Sequence, residues 1–329
     1  MKTSIKEISE LSLKILKNLG FNDEESKYCL ENMLEGEITG KKTHGFVRLK
    51  YLKRASESKE ITVEGEEISV EKETPISLFI DGKNKVGLYV VAKALEMGIE
   101  KVKKSGIVIV GCTNTAPISG LIGYFARKST EQDLIYIGFN NSSGGLIPFG
   151  ASKEMLGTNP FTVGIPSNND PIILDMASSQ ITWGNLLVAK QEGKSIPEGV
   201  ALDGDGKVTT DPVKAMDGGL LPFAGHKGSG LAFIVELLGG ALTKSRVGSN
   251  VKGGWGSLFI LIDPTILRPL EDFKKDVESA IQELKSLPKQ EGFEEIYYTG
   301  EQSNIKRKEA LESGFVDVSD TLLQELKQL

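Results

Sequence analysis

FTVGI at residues 161–165 and PIILD at residues 171–175 are two short apolar runs joined by only five residues, PSNND. Both runs are rich in β-branched residues and are typical of β-strands. A connection this short predicts an antiparallel hairpin, because two parallel strands need a crossover of about a dozen residues. The sheet that contains them is therefore expected to be partly antiparallel, which argues against a purely parallel, doubly wound fold.

Strand and helix patterns alternate on both sides of this hairpin. Apolar runs between turn residues predict strands, and apolar positions three or four residues apart predict helices. Together they predict an α/β (α+β) fold with a mixed, partly antiparallel sheet that is not of the Rossmann type. The predicted elements are, in chain order, a strand at 76–82, a helix at 87–102, a strand at 106–110, a helix at 118–128, a strand at 134–139, a helix at 179–192, a tight loop at 202–207, a buried helix at 229–242 and a strand at 257–262.

Both ends of the chain carry helical patterns. Residues 4–19 have apolar positions at helical spacing, and Asn22 with Glu25 forms a capping-box pattern before a second helix. Charged amphipathic patterns return at 270–287 and 305–329. We expect the two ends to pack together. The predicted domains are a helical domain of residues 1–70 with 265–329 and an α/β domain of residues 71–264.

Composition restricts the class of protein. The chain has 329 residues, 39% of them hydrophobic, and a net charge of −6, so a large core and no nucleic-acid partner are expected. The two cysteines, Cys29 and Cys112, are too few for a disulfide scaffold. The first twenty residues are charged, and no apolar run approaches the length of a membrane span. These features predict a cytoplasmic protein that does not bind membranes.

One of only two histidines lies four residues before an arginine in KKTHGFVRL, residues 41–49. The imidazole of His44 can exchange a proton near neutral pH, and the guanidinium of Arg48 can bind a carboxylate through two hydrogen bonds. If the segment were helical, both side chains would lie on one face and could contact one small anion. The alternative from these residues alone is a surface histidine at a turn beside a solvated arginine.

Glycine-rich stretches predict close backbone approach to a ligand. GHKGSG, residues 225–230, combines glycines with Lys227 at a predicted helix start, an arrangement suited to phosphate or a dinucleotide. Asp175 ends a predicted strand, where it could accept hydrogen bonds from ribose hydroxyls, although its spacing alone favours a helix N-cap. Neither a G-x-G-x-x-G nor a P-loop motif follows a strand, and no histidine or cysteine cluster has zinc-site spacing.

The order and spacing of these motifs resemble the malate/L-lactate dehydrogenase family, which lacks the Rossmann fold and includes ureidoglycolate dehydrogenase, sulfolactate dehydrogenase and diketogulonate reductase. The resemblance covers nearly the whole chain. The chain resembles ureidoglycolate dehydrogenase especially at residues 183–230 and 296–308. The motifs are THG at 43–45 with Arg48, VG at 110–111, GYF at 123–125, PFG at 148–150, GTNP at 157–160, LDMA at 174–177, WG at 183–184, SIP at 195–197, TTDP at 209–212, GHKG at 225–228 and YYTG at 297–300.

The resemblance implies hydride transfer between a nicotinamide, NAD or NADP, and a small anionic 2-hydroxy or 2-oxo acid, of the malate, lactate or ureidoglycolate type. It implies a homodimer whose site lies between the domains and near the partner subunit, with the cofactor bound by the α/β domain. It assigns His44 and Arg48 to the substrate as catalytic residues. The cofactor residues that it implies are Ser142, Leu174, Asp175, Met176 and Lys227, with Gly300, Glu301 and Gln302 in a C-terminal turn; no metal is implied.

The chain departs from the family in one stretch. Many members carry a second histidine in an Asn-Ser-x-His-like stretch, where this chain reads CTNTAPISG, residues 112–120. A threonine hydroxyl does not titrate near neutral pH, so acid–base chemistry falls to His44 or is lost. Two alternatives therefore stay open: a reductase of a cyclic imino acid or sugar-derived 2-oxo acid, and a dinucleotide-binding protein without catalytic activity.

Overall fold

A computed structural model of the protein describes residues 2–250 and 254–329. Within these ranges no helix has the length and apolar composition needed to cross a membrane. In chain order the elements of this part are β1 (Lys2–Ser4), α1 (Ile5–Asn18), α2 (Asp23–Ile38), α3 (Arg48–Glu57), β2 (Ser69–Thr74), β3 (Ser77–Asp81), α4 (Gly87–Ser105), β4 (Ile107–Thr115), α5 (Ile122–Thr130), β5 (Ile135–Asn140), β6 (Gly145–Leu146), β7 (Leu156–Gly157), β8 (Phe161–Ile165), β9 (Ile172–Met176), α6 (Trp183–Glu192), β10 (Ala201–Leu202), α7 (Pro212–Asp217), β11 (Gly219–Leu220), α8 (His226–Val235), β12 (Trp255–Ile262), α9 (Leu270–Ser286), α10 (Glu301–Ser313), β13 (Phe315–Asp317) and α11 (Asp320–Lys327).

The central sheet has seven strands in the order β2-β3-β4-β12-β5-β8-β9. β8 and β9 form the predicted antiparallel hairpin, with Phe161 opposite Met176 and Ile165 opposite Ile172. β12 comes from far along the chain and pairs antiparallel with both β4 and β5, while β3 and β4 pair in parallel. The predicted mixed, partly antiparallel α/β sheet is therefore confirmed.

A second, smaller sheet has the strand order β10-β11-β6-β7. Its strands are two residues long and enclose a separate apolar core that includes Leu146, Leu186, Ile196 and Leu220. The sequence did not predict this sheet, because two-residue strands carry no periodic pattern. Leu186 of α6 and Ala232 of α8 pack into this smaller core.

Several helix bounds differ from the predicted ones for local reasons. The capping box of Asn22 and Glu25 is confirmed at the start of α2. The predicted single helix at 305–329 is two helices, because Gly314 ends α10 in a left-handed conformation and Ser319 caps α11. The helix predicted at 229–242 begins at His226 and continues past Val235 as a π-helical segment, Glu236–Ala241.

The description of this helix as buried was wrong. The side chains of Phe233 and Ile234 on α8 are 47% and 48% exposed, and Leu237 just beyond it is 39% exposed. An apolar run with only Glu236 charged predicts burial, but the helix packs one side against the smaller core, through Ala232. The other side forms an exposed apolar surface of the described chain.

The two ends of the chain meet, as the sequence suggested. β1 pairs with β13, and α10 packs against α2 through an ion pair between Arg307 and Glu35. In contrast, α9 lies against the α/β part, where Lys274 pairs with Asp133. The division into residues 1–70 with 265–329 and residues 71–264 stays a prediction.

Candidate active site

The segment that carries His44 and Arg48 lies between α2 and α3 and is not one continuous helix. His44 ends a 3₁₀ turn, Lys42–His44, Gly45 has extended backbone angles, and Arg48 is the first residue of α3. The condition under which both side chains share one helix face is therefore not met. The turn nevertheless brings them near enough for the charge of Arg48 to act on the imidazole of His44.

The last turns of α2 hold the backbone of His44 in place. A Cβ at Gly36 would lie 2.8 Å from both the carbonyl carbon and the carbonyl oxygen of His44, so the chain needs glycine there. The hydroxyl of Thr43 lies 3.2 Å from Nδ1 of His44, which gives this ring nitrogen a local partner. The catalytic role assigned to His44 thus falls on a residue whose backbone has little freedom.

The electrostatic environment keeps the His44 imidazole neutral. Burial lowers its pKa to about 3, and the positive charges of Arg48 and Lys41 act in the same direction. Burial also lowers the pKa of Arg48, and its Nε is buried without a hydrogen-bond partner among residues 2–250 and 254–329. A buried, unpartnered guanidinium nitrogen carries an energetic cost that a bound anion would remove.

Glu37 of α2 contacts the turn at Gly45 and Phe46. This residue was not predicted from the sequence. Its Oε1 accepts a hydrogen bond from the backbone N–H of Phe46 at 3.2 Å, and its side chain occupies the space beside Gly45. Burial raises the pKa of Glu37 to about 7, although the Phe46 N–H and the charge of Lys42 oppose the shift. No sequence pattern separates Glu37 from the other acidic residues of α2.

Asp175 lies in β9 and binds the start of a neighbouring helix. Its Oδ2 accepts a hydrogen bond from the N–H of Gly123 in the first turn of α5 at 2.8 Å, and Oδ1 lies 3.4 Å from the Thr162 hydroxyl. It does not cap the helix that follows it in sequence, since Thr182 caps α6. Burial raises the pKa of Asp175, opposed by the Gly123 N–H, the charge of Lys41 and the Thr162 hydroxyl.

Asp175 borders two cavities. The first, of about 530 Å³, lies between the end of β9, the start of α6 and residues 195–197, and Met176 lines it. The second, of about 300 Å³, is lined by Lys41, Leu174 and the turn before α10. Because they share Asp175, the two cavities form neighbouring parts of one cleft.

The start of α6 connects the first cavity to the His44 turn. A Cβ at Gly184 would lie 2.7 Å from Cβ of Thr43, so α6 packs directly on the residue before His44. Trp183 covers Gly145 of the smaller sheet in the same way. The smaller sheet thus holds α6 at the position where the cavity and the His44 turn meet.

Lys227 lies in the first turn of α8, as the glycine cluster predicted. Gly225 precedes the helix with φ +60°, and a Cβ at Gly228 would overlap the backbone of Phe223. Phe223 itself lines the first cavity. Helix N-termini favour anions, so a cation here adds to a position that already suits phosphate.

A buried asparagine joins Ser142 to α8. The Oδ1 of Asn159 accepts the N–H of Ser142 at 3.2 Å, while Nδ2 donates to Ala232 O at 3.0 Å and to Glu236 Oε2 at 2.8 Å. Asn159 belongs to the GTNP stretch, but its role as a structural hub was not predicted. Its hydrogen bonds become apparent only when β7, α8 and the Ser142 loop come together.

Of the three predicted cofactor residues in the C-terminal turn, two line the second cavity and one does not. Gly300, with φ +89°, and Gln302 line the second cavity. A Cβ at Gly300 would lie 2.8 Å from Ile173 O, so the turn rests on β9. Glu301 is outside this lining: it pairs with Lys285, and its Oε2 accepts the Tyr298 N–H at 3.2 Å.

The stretch that lacks the second histidine, residues 112–120, begins in the last four residues of β4 and continues beyond the strand. Thr115 is buried, and its hydroxyl donates to the carbonyl oxygen of Trp255 at 2.7 Å. This hydroxyl therefore already makes a structural hydrogen bond. Ile118 has φ +79°, which is unusual for a β-branched residue. The Ser119 hydroxyl is buried without a hydrogen-bond partner in the described ranges. None of these side chains replaces an imidazole as a titrating group near neutral pH.

A neutral imidazole and a buried guanidinium nitrogen lie on a turn that packs against α6, and α6 borders the first cavity, an arrangement that suits an enzyme acting on a small anion. The sequence comparison identifies the group: the malate/L-lactate dehydrogenase family model matches residues 3–327. The chain therefore belongs to the malate/L-lactate dehydrogenase family.

Individual relatives are similar to this chain over nearly the whole length of both proteins. The chain is 34% identical to the malate/(S)-sulfolactate dehydrogenase of Methanothermus fervidus, over 100% of this chain and 97% of the relative. It is 29% identical to the ureidoglycolate dehydrogenase (NAD(+)) of Escherichia coli K12, over 99% and 95% of the two chains. The solved sulfolactate dehydrogenase of Methanocaldococcus jannaschii has a TM-score of 0.90 at 33% identity, covering 100% of this chain and 96% of that one.

Proposed function

We propose that the protein is an NAD(P)-dependent dehydrogenase that interconverts a small 2-hydroxy acid and the corresponding 2-oxo acid. The observation that carries the proposal is the buried Nε of Arg48, which has no hydrogen-bond partner in the described part of the chain, next to the neutral imidazole of His44. An arginine in this state needs an anion, and an imidazole beside it can exchange a proton with the oxygen on the adjacent carbon.

The roles of the two residues follow from their charges. Arg48 binds the substrate carboxylate through its guanidinium. His44 takes the proton of the 2-hydroxyl during oxidation and returns it to the 2-oxygen during reduction. Binding of an anion offsets the charge of Arg48, one of the causes that lower the pKa of His44, and so helps the imidazole to hold that proton.

Residues of both cavities and of the start of α8 are the proposed binding groups for the dinucleotide. When bound, nicotinamide supplies or accepts the hydride at carbon 2 of the substrate. Lys227 and the first N–H groups of α8 would hold phosphate, with Ser142 held nearby by Asn159. Leu174, Asp175, Met176, Gly300 and Gln302 line the two cavities, and Glu301 would act through the fold of its turn.

The walls of the first cavity support NAD as the preferred cofactor. Asp175 is the sole charged residue among the described residues that line this cavity. A 2′-phosphate requires nearby basic groups, whereas free ribose hydroxyls are compatible with a carboxylate. If the adenosine half occupies this cavity, NADH is used better than NADPH.

We further propose that the protein is a cytoplasmic homodimer. The apolar surface of α8, with Phe233 and Ile234 about half exposed, supports self-association. The two cysteines are buried and free, which is compatible with a reducing compartment.

The test follows the absorbance of reduced nicotinamide with pyruvate, oxaloacetate, sulfopyruvate and piperideine carboxylate, and with ureidoglycolate in the oxidative direction. We expect turnover on at least one 2-oxo acid, higher kcat/KM with NADH than with NADPH, and a loss of at least a hundredfold in His44→Ala. Turnover on piperideine carboxylate alone would favour the imino-acid alternative. Cofactor binding without turnover on any of these compounds would favour the non-catalytic alternative.

A further inference from the structure

We infer that Glu236 is a positioning residue for the cofactor: its buried carboxyl group fixes the amide of Asn159, which in turn holds the Ser142 loop against α8. The inference rests on the proposed function, in which Ser142 is a cofactor residue. Glu236 is not among the described residues that line the two cavities, so it acts through Asn159 and not on the ligand itself.

The carboxyl group of Glu236 is buried beside neutral donors. The residue is 1% exposed and begins the π-helical continuation of α8. Oε1 accepts from the N–H of Gly248 at 2.5 Å, and Oε2 accepts from Nδ2 of Asn159 at 2.8 Å. Burial raises the pKa of Glu236, and these two donors oppose the shift. Because both oxygens accept hydrogen bonds, the geometry suits the ionised form, which the two donors stabilise.

The contacts of the Asn159 amide are satisfied in one orientation. Its Nδ2 donates to Ala232 O at 3.0 Å and to Glu236, while Oδ1 accepts the N–H of Ser142 at 3.2 Å. With the amide turned over, its oxygen would face two acceptors and its NH2 group would face the Ser142 N–H. Glu236 is the one carboxyl group among these three partners, so it contributes most to fixing the amide.

Asn159 joins three segments that the proposed function assigns to the cofactor. Its fully buried side chain contacts the Ser142 loop and α8, the helix that carries Lys227. Its backbone oxygen accepts the hydroxyl of Ser178 at 2.8 Å, two residues beyond Met176 at the end of β9. Its φ of +35° is uncommon for a residue other than glycine. A shift of this residue would therefore displace all three segments together.

The π-helical segment packs closely against the residue before Ser142. A Cβ at Gly239 would lie 2.9 Å from the backbone nitrogen of Asn141, and a Cβ at Gly240 would lie 2.7 Å from its Nδ2. The N–H of Gly256 also donates to Oδ1 of Asn141 at 2.7 Å. With this preceding residue fixed, the position of Ser142 depends on its own N–H, the group that the asparagine amide holds.

The first experiment measures the dissociation constants of NADH and NADPH by protein fluorescence in the unchanged enzyme and in Glu236→Gln. Glutamine has nearly the size of glutamate but one oxygen fewer, so it cannot accept from both Gly248 and Asn159. We expect the better-bound cofactor to bind about tenfold more weakly, because a charge-assisted hydrogen bond that holds Asn159 is lost.

Glu25→Gln is the matched control, because it changes an equally buried acid elsewhere. Glu25 is 1% exposed and pairs with Lys85 at 2.6 Å, and neither is among the described residues that line the cavities. Loss of this ion pair should lower the melting temperature and leave cofactor affinity within about twofold. Equal weakening of cofactor binding by both glutamine variants would overturn the inference, since lost stability alone would then explain it.

Asn159→Asp gives a signature that lost stability does not produce. It places a second carboxyl group against Glu236, and two carboxyl groups this close share one proton. The shared proton restores a donor toward Glu236 at low pH and is lost at high pH. We expect the cofactor affinity of this variant to fall about tenfold from pH 6 to pH 9, beyond any change in the unchanged enzyme. Adding Glu236→Gln supplies an amide donor at every pH and should abolish this dependence.

The outcomes separate the inference from the function on which it rests. Failure of both NADH and NADPH to bind the unchanged enzyme would count against the proposed function. Binding that Glu236→Gln leaves unchanged, or an affinity of Asn159→Asp that does not vary with pH, would overturn the inference alone. If Glu236→Gln does not fold, the comparison of Asn159→Asp at two pH values decides the question, because it uses one protein under two conditions.

Discussion

His44 shows how burial and charge can set the protonation state of one residue before any ligand binds. Its pKa of about 3 means that the imidazole of the free enzyme is a base throughout the neutral range. The value of kcat/KM depends on protonation in the free enzyme, so it should reflect this low pKa.

The two directions of the reaction are therefore expected to differ in their pH dependence. For oxidation of the 2-hydroxy acid, kcat/KM should show no loss from protonation of His44 between pH 8 and pH 5. For reduction, which needs the protonated form, log kcat/KM should fall by about one per pH unit as pH rises, because the protonated fraction above a pKa near 3 falls tenfold per unit. Steady-state rates in both directions over this range test it; a plateau below pH 6 in the reductive direction would contradict the low pKa.

The carboxyl group of Glu37, which contacts the same turn, should make the stability of the folded protein depend on pH. Its folded-state pKa of about 7 is raised above the ordinary value, so the folded protein holds this proton to higher pH than the unfolded chain. Stability then decreases as pH rises from about 4.5 to about 7 and levels off above it, by up to about 3 kcal/mol from this group. Glu37→Gln removes the titration, so its melting temperature relative to the unchanged protein should be higher at pH 8 than at pH 5.

The control for this measurement is Glu10→Gln, which changes an exposed acid of α1. Its melting temperature should differ from that of the unchanged protein by the same small amount at both pH values. A pH-independent difference for Glu37→Gln would show that Glu37 is ionised in the folded protein.

At the scale of elements, the start of α8 depends on one glycine and tolerates change at another. A Cβ at Gly228 would overlap the backbone of Phe223, whereas nothing lies within 4 Å of a Cβ at Gly230. Gly228→Ala should therefore displace the first turn of α8, destabilise the protein by about 1–3 kcal/mol and raise KM for the cofactor at least tenfold. Gly230→Ala should raise stability by up to about 1 kcal/mol, since alanine favours helix.

Thermal unfolding and cofactor titration by protein fluorescence test this pair of variants. The contrast between the two glycines matters more than either value, because both substitutions add the same methyl group to the same helix. Equal effects of the two would mean that the start of α8 does not depend on its approach to Phe223.

Elements with a long periodic pattern or a capping motif could be predicted from the sequence, and others could not. The hairpin of β8 and β9 followed from two apolar runs and a five-residue connection, and α2 from its capping box. β1, β13 and the four strands of the smaller sheet have two or three residues each, too few to show alternation. The exposed side of α8 could not be predicted, because apolar residue types alone do not distinguish a buried helix face from an exposed one.

At the scale of the whole molecule, the candidate site combines parts that sequence reasoning placed only separately. His44 and Lys227 were chosen from their residue types and neighbours. That Asp175 would bind the start of α5, and that Asn159 would connect Ser142 to α8, depends on contacts between distant parts of the chain. Such contacts leave no local signal in one sequence, and Glu37 was missed for the same reason.

The last prediction concerns assembly. The apolar surface on α8 contains Phe233 and Ile234, each about half exposed, and continues with Leu237. Clustered apolar side chains of this size on one helix favour burial against another protein surface, and a second copy of the chain is the partner that we propose. Ile234→Asp would place a charge in that interface and should convert a dimer to a monomer in sedimentation velocity at micromolar concentration.

Leu267 provides the matched control, because it is 84% exposed in the turn before α9, outside the α8 surface. Leu267→Asp adds the same charge and should leave the dimer intact. A monomeric unchanged protein would exclude self-association at this concentration, and equal dissociation by both substitutions would remove α8 as the interface. If dissociation by Ile234→Asp also lowers activity while the melting temperature of the monomer stays high, activity depends on the contact between subunits through α8, the helix whose Lys227 we propose as a cofactor residue.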